Sequence, residues 1–246
     1  MVESVSINYE NFSFDFFIHS PNEDVVVSKF IKDNKVWEDS LSKIWLDSIN
    51  EGDLVIDIGA NIGWYSKIAK MKGAEVIAFE PDPRNFEILK LNCPDCILLN
   101  YAVGNSSEDL HLTYSSAGNY GDTRPSKNNG SIKVKQTRLD DIINDTLKNP
   151  KAIKIDVQGW EPYVISGGKK TFESLEKGSL VLLEFCPSLL KKNNFDTNCF
   201  DNFFSLFSSS YGLRKNKKVS FDEMFNFLNS IKDDERTFYV DTINFI

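Results

Sequence analysis

Two short apolar runs each end in an acidic residue, and a glycine-bearing loop follows the first. That run reads Leu54-Val55-Ile56-Asp57-Ile58-Gly59 and continues Ala60-Asn61-Ile62-Gly63-Trp64. Gly59 and Gly63 let the backbone turn tightly and approach a ligand with no Cβ between. A helix starting near Gly63 would offer free N–H groups beside that ligand. Asp57 is placed to accept from a cationic or amino-bearing group. The second run ends Phe79-Glu80-Pro81-Asp82, and Glu80 lies 21 residues beyond Gly59, the separation one βα unit requires. An acidic residue there can accept from both hydroxyls of a ribose. A nicotinamide dinucleotide would call for G-x-G-x-x-G, with the pyrophosphate on the helix N-terminus. Here Asn61 stands where the second glycine would be. The acid before the loop suits a nucleoside with an ammonium group and no pyrophosphate, which is S-adenosylmethionine (SAM).

Alternating strands and helices must position these residues. Leu54–Gly59, Glu75–Phe79, Ile97–Tyr101, Ala152–Val157 and Leu180–Phe185 read as strands, with helices to Lys70 and over Pro83–Leu91. That alternation predicts an α/β fold: a mostly parallel sheet with helices on both faces. Ahead of it, Phe12–Ile18 and Val25–Ile31 read as a hairpin around Ser20-Pro21-Asn22, and Trp37–Ile49 as a helix. Residues 1–50 are thus expected as a hairpin and cap helix on a catalytic domain of residues 51–246. Within 104–138 the alternation breaks, and residues 110–114 and 132–139 read as an inserted strand pair. The aromatic and β-branched tail, residues 237–246, reads as a last strand.

The chain of 246 residues carries a net charge of −8. That balance disfavours nucleic acid, since phosphate neutralisation supplies most non-specific affinity. No apolar run approaches the ~18–20 residues that span a bilayer, and the first twelve residues do not read as a signal peptide. Four cysteines are too few for a disulfide scaffold, so a reduced, cytoplasmic setting is expected.

Residues 55–66 (VIDIGANIGWYS), 77–92 (IAFEPDPRNFEILKLN), 100–105 (NYAVGN), 137–143 (TRLDDII) and 154–168 (KIDVQGWEPYVISGG) resemble FkbM-type methyltransferases in content and order. Trp37-Glu38 and residues 182–187 extend the resemblance to roughly 36–187. One departure is Gln158, where the family usually has Glu. The resemblance implies a Rossmann-like class I methyltransferase fold with a mostly parallel seven-stranded sheet and an antiparallel last strand. It also implies SAM-dependent O-methylation of a sugar or small natural-product hydroxyl, so a small-molecule or glycan acceptor is expected. A nucleic-acid methyltransferase and a catalytically silent SAM-binding module are the alternatives. The cofactor is expected against Asp57, Gly59, Ala60, Asn61, Gly63, Trp64, Glu80, Pro81, Asp82, Asn100, Tyr101 and Ala102.

Methyl transfer to an alcohol needs alignment and a base, or a metal that acidifies the hydroxyl. Asp156 and Glu161, after the fourth strand, are the expected catalytic pair, although Glu161-Pro162 also suits a helix start. Asp140, Asp156 and Glu184 together could hold Mg²⁺, which prefers oxygen ligands. His111, in the inserted strand pair, could reach over the site but reads first as a surface or packed histidine, and His19 has no partner evident in the sequence. Cys93-Pro94-Asp95-Cys96 has zinc or redox spacing, but a zinc site needs four ligands and only Cys186 and Cys199 remain. Lys169-Lys170 and the run 214–218 are basic patches that read as solvated loops. Phe195, Phe200, Phe203, Phe204 and Phe207 read as core or lid, with a homodimer face as another use.

Overall fold

The computed structural model describes residues 1–114, 118–126, 130–143, 148–185, 189–190, 193, 195, 200–214, 217–220 and 240–246. Cys186, Cys199, Lys215, Asn216 and residues 237–239 of the tail lie outside the described residues.

The chain opens on a hairpin, β1 (Val2–Tyr9) with β2 (Phe12–His19), turning at Glu10, whose φ is 50°. Val2 stands opposite His19 and Tyr9 opposite Phe12. Val5, Ile7 and Tyr9 point to the core while Ser4, Ser6 and Asn8 face out. This corrects the expected pairing of residues 12–18 with 25–31. Residues Val27–Asn34 form helix α1 because their buried positions, Val27, Ser28 and Ile31, follow a helical period. Asp24 accepts from the Ser28 amide at 2.8 Å and holds the helix start. Helix α2 (Asp39–Asp47) buries Leu41, Ser42, Trp45 and Leu46, as the apolar spacing predicts.

Next come β3 (Leu54–Ile58), α3 (Trp64–Met71), β4 (Glu75–Phe79), α4 (Pro83–Asn92) and β5 (Ile97–Leu99). Asp82 caps α4 by accepting from the Arg84 amide at 2.9 Å, with Pro83 in the first turn. The insertion is more elaborate than a strand pair. It holds β6 (Ala102–Gly104), β7 (Leu110–Tyr114), β8 (Thr123–Ser126), β9 (Ile132–Val134) and β10 (Gln136–Arg138). The 132–139 stretch splits: β9 joins β7 and β8 in an antiparallel sheet, while β10 runs parallel to β6. Helix α5 (Leu139–Ile142), β11 (Ala152–Ile155), α6 (Glu161–Gly167), α7 (Lys169–Glu173) and β12 (Leu180–Phe185) complete the alternation. A short helix, Asp201–Phe204, precedes β13 (Ser209–Arg214), β14 (Lys217–Ser220) and β15 (Val240–Phe245).

The main sheet has the order β14-β13-β15-β12-β11-β3-β4-β5. From β12 to β5 every pairing is parallel, and β15 runs antiparallel to β12. The sheet has one strand more than expected because β14 folds back on β13 at the edge. Alternate strand residues feed two cores. Val55, Val76 and Leu182 pack with the hairpin and helices α1 to α4. Ile56, Ile77 and Val181 pack with α5 to α7 and the 201–204 helix. Phe200, Phe203 and Phe204 are buried in that second core, and Phe195 and Phe207 pack against it partly buried, so the phenylalanine cluster is packing.

The chain leaves β3 toward β4 on one side and returns to β11 on the other. Strand order reverses between β3 and β11, which puts the ligand crevice at their carboxyl ends. Gly59 sits there with φ 82°, and a Cβ on it would stand 1.8 Å from the Asp156 carbonyl oxygen. Gly52, with φ 78°, has open space around it. Gly59→Ala should therefore cost more than ~3 kcal/mol, and Gly52→Ala about 1 kcal/mol from backbone strain alone. Urea denaturation of the two variants measures the difference.

Candidate active site

The loop after β3 is tied to β4 by its backbone. Gly59 and Ala60 amides both donate to the Phe79 carbonyl at 2.9 Å. Glu80 then clamps the loop: its two carboxylate oxygens accept from the Asn61 amide at 2.7 Å and the Asp82 amide at 2.8 Å. Burial pushes the Glu80 carboxyl up to about 8 against these donors. Asn100 donates to the Glu80 carbonyl at 2.7 Å, which fixes the crossing from β5.

Two cavities adjoin here and share Gly59, Asn61, Gly121, Asp156 and Gln158. The smaller, about 60 Å³, runs between Glu80, Pro81, Tyr101, Ala102 and Trp160. The larger, about 340 Å³, reaches Asp57, Ala60, Trp64, Glu38, Lys154, Glu184 and Asp241. Asp57 is buried, accepts from the Ser66 hydroxyl at 2.7 Å through one oxygen, and its other oxygen has no partner among the described residues. Burial raises its carboxyl above the usual range. Three of the expected cofactor positions line neither cavity. Gly63 opens α3 against Leu89, Asn100 braces the backbone, and Asp82 binds Arg84 and Thr123.

At the end of β11, Lys154 and Asp156 form an ion pair of 3.0 Å. Gln158, with φ 54°, turns its amide so that Nε2 donates to Asp156 at 2.8 Å and to Glu184 at 2.8 Å. Burial opposes the Asp156 charge, but Lys154 and hydrogen bonds from Glu184 and Gln158 hold its carboxyl below the ordinary value. Glu184 moves the other way, raised by burial and by Asp156 beside it. Across the β12–β15 ladder Asp241 stands directly opposite Glu184, and burial lifts its carboxyl to about 8. Glu38 accepts from the Tyr65 hydroxyl at 2.7 Å.

Glu161 lies behind this row. It accepts from the Gly159 amide at 2.9 Å, lines neither cavity, and burial pushes it up to about 7. The expected Mg²⁺ set does not assemble. Asp140 instead caps α7, accepting from the Lys170 amide at 3.1 Å and from the Thr171 amide and hydroxyl at 2.9 Å. No group of three or more His, Cys, Asp or Glu that could hold a metal occurs among the described residues. His19 bonds Asn85 at 3.0 Å beside the smaller cavity, whereas His111 lies on β7 opposite Ser126 and Lys133. Cys93 and Cys96 are free thiols that line neither cavity.

Glu38, Lys154, Tyr65 and Asp241 were not among the expected site residues. Lys154 carried a signal: a lysine inside Ala152-Ile153-Lys154-Ile155, a central strand, is buried only if paired. Asp241 carried none, because its partner Glu184 is 57 residues away in sequence.

Glu80 and Glu161 hold their protons longer in the folded protein than in the unfolded chain. Their contribution to stability is complete below about pH 4.5 and is lost as pH rises through about 7 and 8. The melting temperature of the cofactor-free protein should fall between pH 5 and pH 8.5, and Glu161→Gln should flatten the lower part of that slope. Calorimetric melts across the range test both.

An open sheet whose parallel strands run β5-β4-β3-β11-β12, with β15 antiparallel beside them and a crevice at the β3–β11 reversal, is the class I methyltransferase fold. The Methyltransferase FkbM domain model matches residues 57–236, and the chain belongs to that family. The hexuronic acid methyltransferase AglP of Haloferax volcanii is 30% identical over 143 residues, which cover 56% of this chain and 59% of that protein. Among solved structures, the C-terminal domain of precorrin-6Y C5,15-methyltransferase from Rhodobacter capsulatus has 11% identity and a TM-score of 0.45, covering 87% of this chain and 91% of its own. The M. jannaschii tRNA m1G37 methyltransferase has 13% identity and a TM-score of 0.46, covering 98% of this chain and 54% of its own. No helix among the described residues is long and apolar enough to cross a membrane.

Proposed function

We propose that this protein is a SAM-dependent O-methyltransferase acting on a hydroxyl of a sugar or similar small acceptor. The observation that carries this reading is the pair of adjoining cavities that meet at Gly59, Asn61 and Asp156. The smaller has an apolar wall of Phe79, Ala102 and Trp160 with Glu80 at its edge, which suits a nucleoside. Three features fit the cofactor. Gly59 leaves room no Cβ would leave, Glu80 has further lone pairs for ribose hydroxyls, and the unpartnered Asp57 oxygen suits an ammonium.

SAM, when bound, supplies an electrophilic sulfonium methyl. The chain has to align the acceptor oxygen, exclude water and take the hydroxyl proton. Asp156 is the group in both cavities with a charged oxygen, and Lys154 keeps it ionised at neutral pH. Its lowered basicity makes it a proton acceptor only while the new C–O bond forms. Gln158 and Glu184 hold Asp156 in one orientation by hydrogen bonding to it. Glu161 acts from behind as a positioning residue, holding the Gly159 backbone that carries Gln158. The carboxylate lining gives no support to a nucleic-acid acceptor, whose phosphates it would repel.

Titration calorimetry with S-adenosylhomocysteine tests the cofactor half directly. Glu80→Gln should weaken that binding at least tenfold, and unchanged affinity would remove Glu80 from the ribose. Asp156→Asn should lower kcat at least 100-fold on an identified acceptor while S-adenosylhomocysteine still binds. Undiminished turnover would reassign the base.

A further inference from the structure

We propose that the larger cavity takes a sugar ring without a carboxylate, held by Glu38 and Asp241 with Trp37 as its apolar wall. This rests on the methyltransferase reading above and narrows its acceptor. Six carboxylate side chains line this cavity, and Lys154 is the one cationic side chain among its described lining residues. Lys154 is already committed. It is 7% exposed, sits 3.0 Å from Asp156 and lies 4.8 Å from the centre of the Tyr65 ring.

A uronate entering here would lose its hydration and meet carboxyl oxygens on several sides, with its nearest cation spoken for. Burying an unpaired charge is costly, and like charges nearby add to the cost. A hydroxyl-rich ring meets the opposite situation. Each hydroxyl both donates and accepts, so it can serve an ionised carboxylate as donor and a protonated carboxyl as acceptor. Burial raises the carboxyls of Glu38 and Glu184 and lifts that of Asp241 to about 8, whereas Lys154 holds Asp156 low, so the cavity offers a hydroxyl both kinds of partner. The groups facing Asp241 are Glu184 on β12, Lys154 and Asp156 at β11, Tyr65 on α3 and Glu38 ahead of α2.

Apart from Lys154 the side-chain donors of the lining are neutral, among them the amides of Asn61, Asn119 and Gln158. The unpartnered Asp57 oxygen lies at the cofactor end of this cavity, where the SAM ammonium completes it and leaves Glu38, Glu184 and Asp241 to the acceptor. Trp37 and the valines Val26 and Val27 give the mouth an apolar side. The C–H face of a sugar ring can pack there while its hydroxyls turn to the carboxyls. By its name the H. volcanii relative acts on a hexuronic acid, so this chain would differ from it in acceptor charge.

The test uses matched pairs: methyl glucoside against methyl glucuronide, and methyl galactoside against methyl galacturonide. Binding to protein saturated with S-adenosylhomocysteine is read by saturation-transfer NMR, and turnover by label transfer from radiolabelled SAM. The neutral member should be favoured at least tenfold in each pair. A uronate that equals or exceeds its neutral partner overturns the proposal. If S-adenosylhomocysteine binds but no member of any pair binds or is methylated, the sugar assignment falls and the cofactor reading stands. If S-adenosylhomocysteine itself does not bind, the methyltransferase reading fails first. Measured at pH 9, above the value of about 8 to which burial lifts Asp241, Asp241→Asn removes a negative charge at constant size and should narrow the discrimination at least threefold, and Glu38→Gln provides a second reading if the first variant does not fold. Discrimination unchanged in a folded variant would also overturn the assignment.

Discussion

Lys154 and Asp156 place an ion pair inside the sheet, at the point where β11 ends and the site begins. A buried pair of this kind contributes little net stability, because removing both charges from water costs about as much as their attraction returns. What it provides is an arrangement. Asp57, Glu38 and Glu184 all act on the Lys154 ammonium, and together with Asp156 they raise its affinity for the proton against burial. Four acidic side chains from four separate segments can therefore approach one another. Without the lysine, that convergence of charge would have to be relieved by protonation or by opening the structure.

The main chain of Asp156 constrains the loop beside it. Asp156 presents its carbonyl so close to Gly59 that no other residue fits the loop after β3. The loop is thereby pressed onto the end of β11, and Glu80 holds its far side through the Asn61 amide. The cavity toward Glu80 and the cavity toward Asp241 are parted by this narrow contact. One glycine and one strand terminus thus set where the two cavities meet.

Much of this was legible in the sequence because it is local. β3, β4, β11 and β12 are apolar runs bounded by turns, and α2 and α4 show a helical period or a Pro start. The Gly59 loop and Glu80 are one βα unit apart, a spacing that needs no tertiary information. The misread parts depended on contacts distant in sequence. The strand Val2–Tyr9 looks polar because its exposed face is serine and asparagine, and only the pairing with β2 reveals its buried face. Residues 132–139 look continuous, yet the chain changes partner at Lys135, whose carbonyl accepts from the Ala102 amide. Asp140 looked like a metal ligand until α7 was seen to take both its oxygens.

Gln158 shows how far one departure from the family pattern can be followed. A glutamate at that position would add a third carboxylate against Asp156 and Glu184, with no hydrogen to place between them unless one were protonated. The amide nitrogen instead gives each of them a hydrogen bond of 2.8 Å. Its backbone pays a local strain, φ 54° on a residue that is not glycine, to bring the amide round. Glu161 sustains that turn by accepting from the next amide, Gly159. The substitution thus lowers the repulsion within the acidic row and leaves Asp156 ionised beside Lys154. Gln158 holds Asp156 in one orientation through a donated hydrogen bond.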